Sequence, residues 1–99
     1  FDASGVDPLS RMLCGSDTFY EMTKALMDFT GNRLVMAHEG GYSETHVPFC
    51  GHHVLQQLSG SAKTVSDPLS PRIMAQQPDI SLNLLQEKRM NEIAELHQL

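Results

Sequence analysis

The chain has 99 residues, 40% of them hydrophobic and 19% charged, the make-up of one small soluble globular domain. At that length a core can be buried, but with little margin. Seven Lys and Arg against twelve Asp and Glu give a net charge of −5, which with no basic cluster argues against nucleic acid or an anionic membrane surface as partner, and no apolar run reaches the roughly 20 residues of a membrane span.

The first residue is Phe1, not Met. Phe1-Asp2-Ala3 reads as the end of a strand cut inside a larger protein, although a processed terminus would look the same. Residues 4–15, with Gly5, Asp7-Pro8 and Gly15, read as loop, because glycine permits positive φ and Pro8 pushes Asp7 away from helix. A helix follows. Thr18 with Glu21 three residues on fits a capping box, and Phe19, Met22, Leu26 and Phe29 recur at helical spacing. Gly31 stands where a left-handed residue ends a helix. Leu34 to Ala37 is a short apolar run without alternation, the pattern of a strand covered on both faces. It stops at His38-Glu39-Gly40-Gly41-Tyr42, where two glycines let the backbone turn sharply and come close to a neighbour.

A second helix is predicted to start near Pro48, which is tolerated in a first helical turn. Val47, Val54, Leu55 and Leu58 share one of its faces and Gly60 ends it. Residues 61–78, rich in Ser, Pro and Gln, read as an ordered arm or a linker. A last helix runs from Leu82 to Leu99, with Leu82, Leu85, Met90, Ile93 and Leu96 on one side. Strand end, loop, helix, strand, loop, helix is the alternation of an α/β fold with a mainly parallel sheet. Few strands are in view, so the rest of the sheet is expected from another part of the protein or from another chain.

Open α/β sheets bind ligands beyond the carboxyl ends of their strands. The two expected strand ends, at Asp2 and at Glu39 to Tyr42, would share a rim if the strands are neighbours. A carboxylate there suits a metal ion, and a tyrosine beside it can donate a hydrogen bond to developing negative charge. On spacing alone, a loop-capping Asp and an amphipathic rim Tyr explain the pair as well. Other clusters are read as structural. Cys14 and Cys50 form no disulfide framework and are expected as reduced thiols; with the histidines they match no zinc-finger spacing. His52 and His53 fall inside the second helix, where adjacent residues do not face each other. Asp7 is expected to fix its loop, and His38 and Glu39 to serve the turn.

Taken together, Phe1-Asp2-Ala3, Asp7-Pro8-Leu9, the helix with Phe19 and Thr23, Leu34-Val35 running into Glu39-Gly40-Gly41-Tyr42-Ser43, and Val47-Pro48-Phe49-Cys50-Gly51-His52 resemble the C-terminal third of the histone deacetylase and acetylpolyamine amidohydrolase family, in its class II-like and bacterial branch. On this resemblance residues 1–60 are the C-terminal part of a catalytic domain, and residues 61–99 are an extension with an arm and a terminal helix. The resemblance implies a three-layer α/β/α fold of the arginase–deacetylase type, a zinc ion held by two aspartates and a histidine, and a water attacking the acetyl carbonyl. By position, Asp2 matches the last zinc ligand and Tyr42 the tyrosine that bonds the substrate carbonyl and the oxyanion. Gly40 and Gly41 match the turn that shapes the acetyl pocket.

Two expected parts are missing from the chain. The family's other zinc ligands come from an Asp-x-His motif, and no histidine here stands two residues after an aspartate. Gly51-His52-His53 imitates the family's acid–base histidine pair but follows the tyrosine instead of preceding the zinc strand. The implied function is part of a Zn2+-dependent deacetylase acting on acetyl-lysine or acetylated polyamines, with residues 1–99 alone inactive. A homo-oligomer through the terminal helix is compatible with it. With no secretory leader in view, the expected compartment is the cytoplasm, or the nucleus in a eukaryote. The competing reading is a truncated product without catalysis, acting at most as an interaction module.

Overall fold

The computed structural model describes residues 1–9 and 12–99; part of the loop expected over residues 4–15 therefore lies outside the described residues. Helices take up 53% of the described residues, as α1 (Ser16–Thr30), α2 (Val47–Ser59), α3 (Ser70–Met74) and α4 (Ile80–His97). The described residues contain no strand and no sheet. Their one strand-like pairing is an isolated parallel bridge between Ser4 and Cys14, made by Gly5 N–H to the Cys14 carbonyl at 2.9 Å and Cys14 N–H to the Ala3 carbonyl at 3.0 Å.

The expected α/β fold with a parallel sheet, and the three-layer α/β/α arrangement, are thus corrected to a helical fold. A strand exists only when its backbone groups meet a neighbour's in a ladder. The run from Leu34 to Ala37 meets none, and Val35 is 96% exposed. Phe1-Asp2-Ala3 is a turn instead of a strand end, closed by Ser4 N–H on the Phe1 carbonyl at 3.1 Å.

The helices follow the sequence pattern more closely, with shifts at their starts. α1 begins at Ser16 with Gly15 as its N-cap, so Thr18 lies inside the first turn and the expected capping box is not made. α2 begins at Val47 with Pro48 in its first turn, and both α1 and α2 end in a left-handed glycine, Gly31 and Gly60. α4 starts two residues before Leu82. Asp79 caps it, accepting Leu82 N–H at 3.1 Å, which satisfies one of the free donors of a helix start. α4 has no buried residue, and the Leu82 to Leu96 stripe is exposed.

The arm after α2 is ordered by side chains reaching across to it. Gln56 Nε2 donates to the Ala62 carbonyl and to Thr64 Oγ1, both at 3.0 Å, and His53 Nε2 meets the Val65 carbonyl at 3.0 Å. The short helix α3 within it, not anticipated from the sequence, delivers Ile73, which is 1% exposed. Ile73 packs so close to Gly5 that a Cβ there would come within 3.0 Å of its Cγ2.

α1 packs on α2, yet the buried apolar side chains among the described residues are only Cys50, Val54 and Ile73. The interior is largely polar. His46 bonds Ser4 Oγ through Nδ1 and Asp67 Oδ2 through Nε2 at 2.8 Å. Ser16 Oγ donates to the same Asp67 oxygen at 2.8 Å, and Leu69 N–H donates to Asp67 Oδ1 at 2.9 Å. Burial alone would push the Asp67 carboxyl up, but these hydrogen bonds from Leu69, Ser16 and His46 outweigh it and hold the group below the usual carboxylate range. A carboxylate only accepts, so the His46 Nε2 carries the proton toward Asp67 and, in the neutral ring, Nδ1 accepts from Ser4.

Replacing Asp67 by Ala strands these donors in the interior. It is expected to cost about 2–3 kcal/mol in urea unfolding at pH 7. Because the carboxyl is held low in the folded state, its stabilisation is present at pH values above the ordinary carboxyl pKa of ~4 and is lost as pH falls through the lower folded value. The gap between wild type and Asp67→Ala is therefore expected to narrow in acid; an undiminished gap at the lowest pH where both still fold would contradict this account.

Candidate active site

The turn from His38 to Tyr42 is held down on the first residues of the chain. The Phe1 backbone nitrogen donates to the Glu39 carbonyl at 2.9 Å. Asp2 Oδ1 accepts Gly41 N–H, and Asp7 Oδ2 accepts Tyr42 N–H at 2.7 Å. His38 folds back so that its Nε2 lies 2.8 Å from the Gly40 carbonyl, and its ring stands 5.0 Å from that of Phe1.

Both glycines are needed here. Gly40 has φ +62° and Gly41 φ +88°, conformations that side chains resist. A Cβ on Gly40 would collide with the Asp2 carboxylate, and one on Gly41 would come within 2.8 Å of Phe1 Cβ and 2.9 Å of Val47 Cγ2.

Asp2, Gly40, Gly41 and Tyr42, the residues singled out from the sequence, thus lie in one cluster. No sheet rim brings them together; direct hydrogen bonds between two loops do. Asp2 is exposed and Tyr42 is 55% exposed, so a carboxylate and a phenol are open to a ligand. The cluster does not make a zinc site by itself. Zinc takes about four ligands, Asp2 offers one, and no described group of three or more His, Cys, Asp and Glu side chains is gathered to hold a metal.

His52 and His53 lie inside α2, with His53 turned to the Val65 carbonyl and the arm. Cys14 and Cys50 are free thiols. Burial raises the Cys14 pKa. Burial, reinforced by the nearby Asp67 charge, pushes Cys50 up to about 12, so neither is poised as a thiolate. Sequence reasoning missed the Ser4–His46–Asp67 chain altogether. Its members are 42 and 21 residues apart, and no local spacing signals them. It has the order of a hydrolase triad, but Ser4 and His46 are 0% exposed and no substrate reaches the hydroxyl.

No family model matches the chain. It is 48% identical over 98 residues to a histone deacetylase-like amidohydrolase of Pseudomonas aeruginosa, an alignment that covers 95% of this chain and 26% of that relative. The chain is similar to one part of that histone deacetylase-like amidohydrolase. It spans about a quarter of the length of the curated relative it matches. In this deacetylase-like chain no described helix is long and apolar enough to cross a membrane.

Gly40→Ala is expected to move Asp2 off the turn and to cost about 1–3 kcal/mol in strain. The measurement is chemical denaturation, with the amide NMR shifts of Gly41 and Tyr42 as the local readout. Unchanged shifts at both would refute the packing of Asp2 against this turn.

Proposed function

We propose that this chain is part of a zinc-dependent amidohydrolase that removes acetyl groups from the amine of lysine or of a polyamine. The observation that carries the reading is the turn itself. In a chain nearly half identical to a histone deacetylase-like amidohydrolase, the Asp2 carboxylate grips Gly41, the residue next to Tyr42. Tyr42 acts as the donor to the tetrahedral oxyanion. Asp2 supplies one metal ligand, with the remaining ligands and the general acid–base group coming from outside these residues. Zinc, when bound, polarises the acetyl carbonyl and acidifies a water.

The chain's own contribution is positional. Its phenol stands on a turn fixed at successive amides, and a fixed donor to an oxyanion is worth on the order of 3 kcal/mol. Gly40 and Gly41 offer bare backbone as one wall of the acetyl pocket, because neither has room for a side chain. The substrate is an acetylated amine. The interaction-module reading draws on one specific observation, the exposed apolar stripe of α4.

In the complete enzyme, Tyr42→Phe is expected to lower kcat by about 10²–10³ on an acetyl-lysine peptide, with zinc content unchanged. Full activity in that variant would end the oxyanion role. Residues 1–99 alone are expected neither to hold zinc tightly in equilibrium dialysis nor to release acetate. Turnover by the isolated chain would show that the partial-site reading is mistaken.

A further inference from the structure

Asp7 was expected from the sequence only to fix its own loop, and it does so through Oδ1, which accepts Leu9 N–H at 2.8 Å. Its other oxygen does something that local spacing does not announce. Oδ2 crosses 35 residues of sequence to take Tyr42 N–H at 2.7 Å. The side chain reaches that point from a fixed base, because Asp7 N–H is itself bonded to the Ser4 carbonyl at 3.0 Å and Ser4 is locked by His46 in the interior. Asp7 is 7% exposed, so its charge-assisted bonds compete little with water.

Consecutive amides of the turn, Gly41 and Tyr42, are thereby received by two carboxylates of one short loop, Asp2 and Asp7. Just before Tyr42 the backbone passes through two glycines at positive φ, the residues with most freedom to swing. The Asp2 bond fixes Gly41. The Asp7 bond fixes the next amide, the one from which the phenol projects.

We infer that Asp7 is a positioning residue for Tyr42: by holding its backbone N–H, Asp7 sets where the phenol stands relative to the Asp2 carboxylate. The inference rests on the reading of Tyr42 as the oxyanion donor. Asp7 touches no substrate and acts only through the tyrosine. A donor displaced by an ångström loses much of its effect on the transition state, on the order of a hundredfold in rate at the extreme, while leaving ground-state binding largely alone.

The test is a double-mutant cycle in the complete enzyme, with Asp7→Asn, Tyr42→Phe and the pair, reading kcat, KM, zinc content and melting temperature. Asn keeps the size of the side chain but removes the charge and one of the two acceptors. Asp7→Asn is expected to lower kcat about tenfold or more with KM and zinc content unchanged. On the Tyr42→Phe background the same change is expected to cost less than about twofold, because the group being positioned is already gone. Should Asp7→Asn unfold, Asp7→Glu, which keeps the charge and both acceptors on a longer arm, goes through the same cycle. Equal losses in both backgrounds, an Asp7 variant with undiminished kcat, or loss of zinc or of fold in both Asp7 variants overturns the inference and leaves Asp7 as a residue of the loop alone. If Tyr42→Phe itself keeps full activity, the oxyanion reading falls first and this inference falls with it.

Discussion

A carboxylate taken out of water must be met by donors, and the stretches of chain that supply those donors are then tied to one another. Asp67 is met by the Ser16 hydroxyl at the start of α1, by His46 just before α2, and by Leu69 N–H in its own arm. Through the far nitrogen of His46 the same chain of bonds reaches Ser4. Four stretches with little apolar surface in common are joined at a single buried charge. Breaking one partner of such a group leaves the others uncompensated, so the network is satisfied as a whole or not at all. Ser4 then carries the order outward. Its carbonyl holds Asp7, and the turn that it closes with Phe1 holds Asp2.

The candidate site is downstream of that constraint. Asp2 and Tyr42 do not belong to one rigid element; each sits on a loop, and loops hold a geometry only when their backbone groups are engaged. Asp2 and Asp7 provide that engagement from one side, and the two glycines remove the side chains that would stand in the way. The exposed groups are the ones the chemistry requires, a carboxylate and a phenol, while Asp7, which holds the Tyr42 amide, is buried.

The sequence made the helices legible to different degrees. The apolar spacing of Phe19, Met22 and Leu26 and the closing Gly31 marked α1, and Pro48 and Gly60 marked α2, because these signals act within one or two turns. The helix starts were less legible. Thr18 and Glu21 form a plausible capping box on paper, but Gly15 takes the cap position, and nothing local distinguishes the two registers. Leu34 to Ala37 was misread for a physical reason: a run of apolar residues states what the side chains prefer, not whether a neighbouring backbone is present to pair with. The similarity to a histone deacetylase-like amidohydrolase was legible from short motifs in order. The neighbourhood of Asp2, Gly40, Gly41 and Tyr42 was also expected, although through a sheet rim that the chain does not have. The bonds from Asp7 to Tyr42 and from His46 to Asp67 were illegible, since they join residues far apart whose types recur throughout the sequence.

A domain whose interior is held by hydrogen bonds more than by hydrocarbon answers to temperature in its own way. Exposing apolar surface raises the heat capacity on unfolding, and exposing polar surface lowers it. With Cys50, Val54 and Ile73 as the buried apolar side chains and nine buried polar ones among the described residues, this chain is expected to have a small heat-capacity increment for its length. Its stability curve is expected to be correspondingly flat, with little loss on cooling and a broad transition on heating. Whatever sharpens that transition has to come from the apolar surfaces the chain leaves uncovered, along α4 and in the groove between Phe19, Met22 and Leu58, once something else covers them.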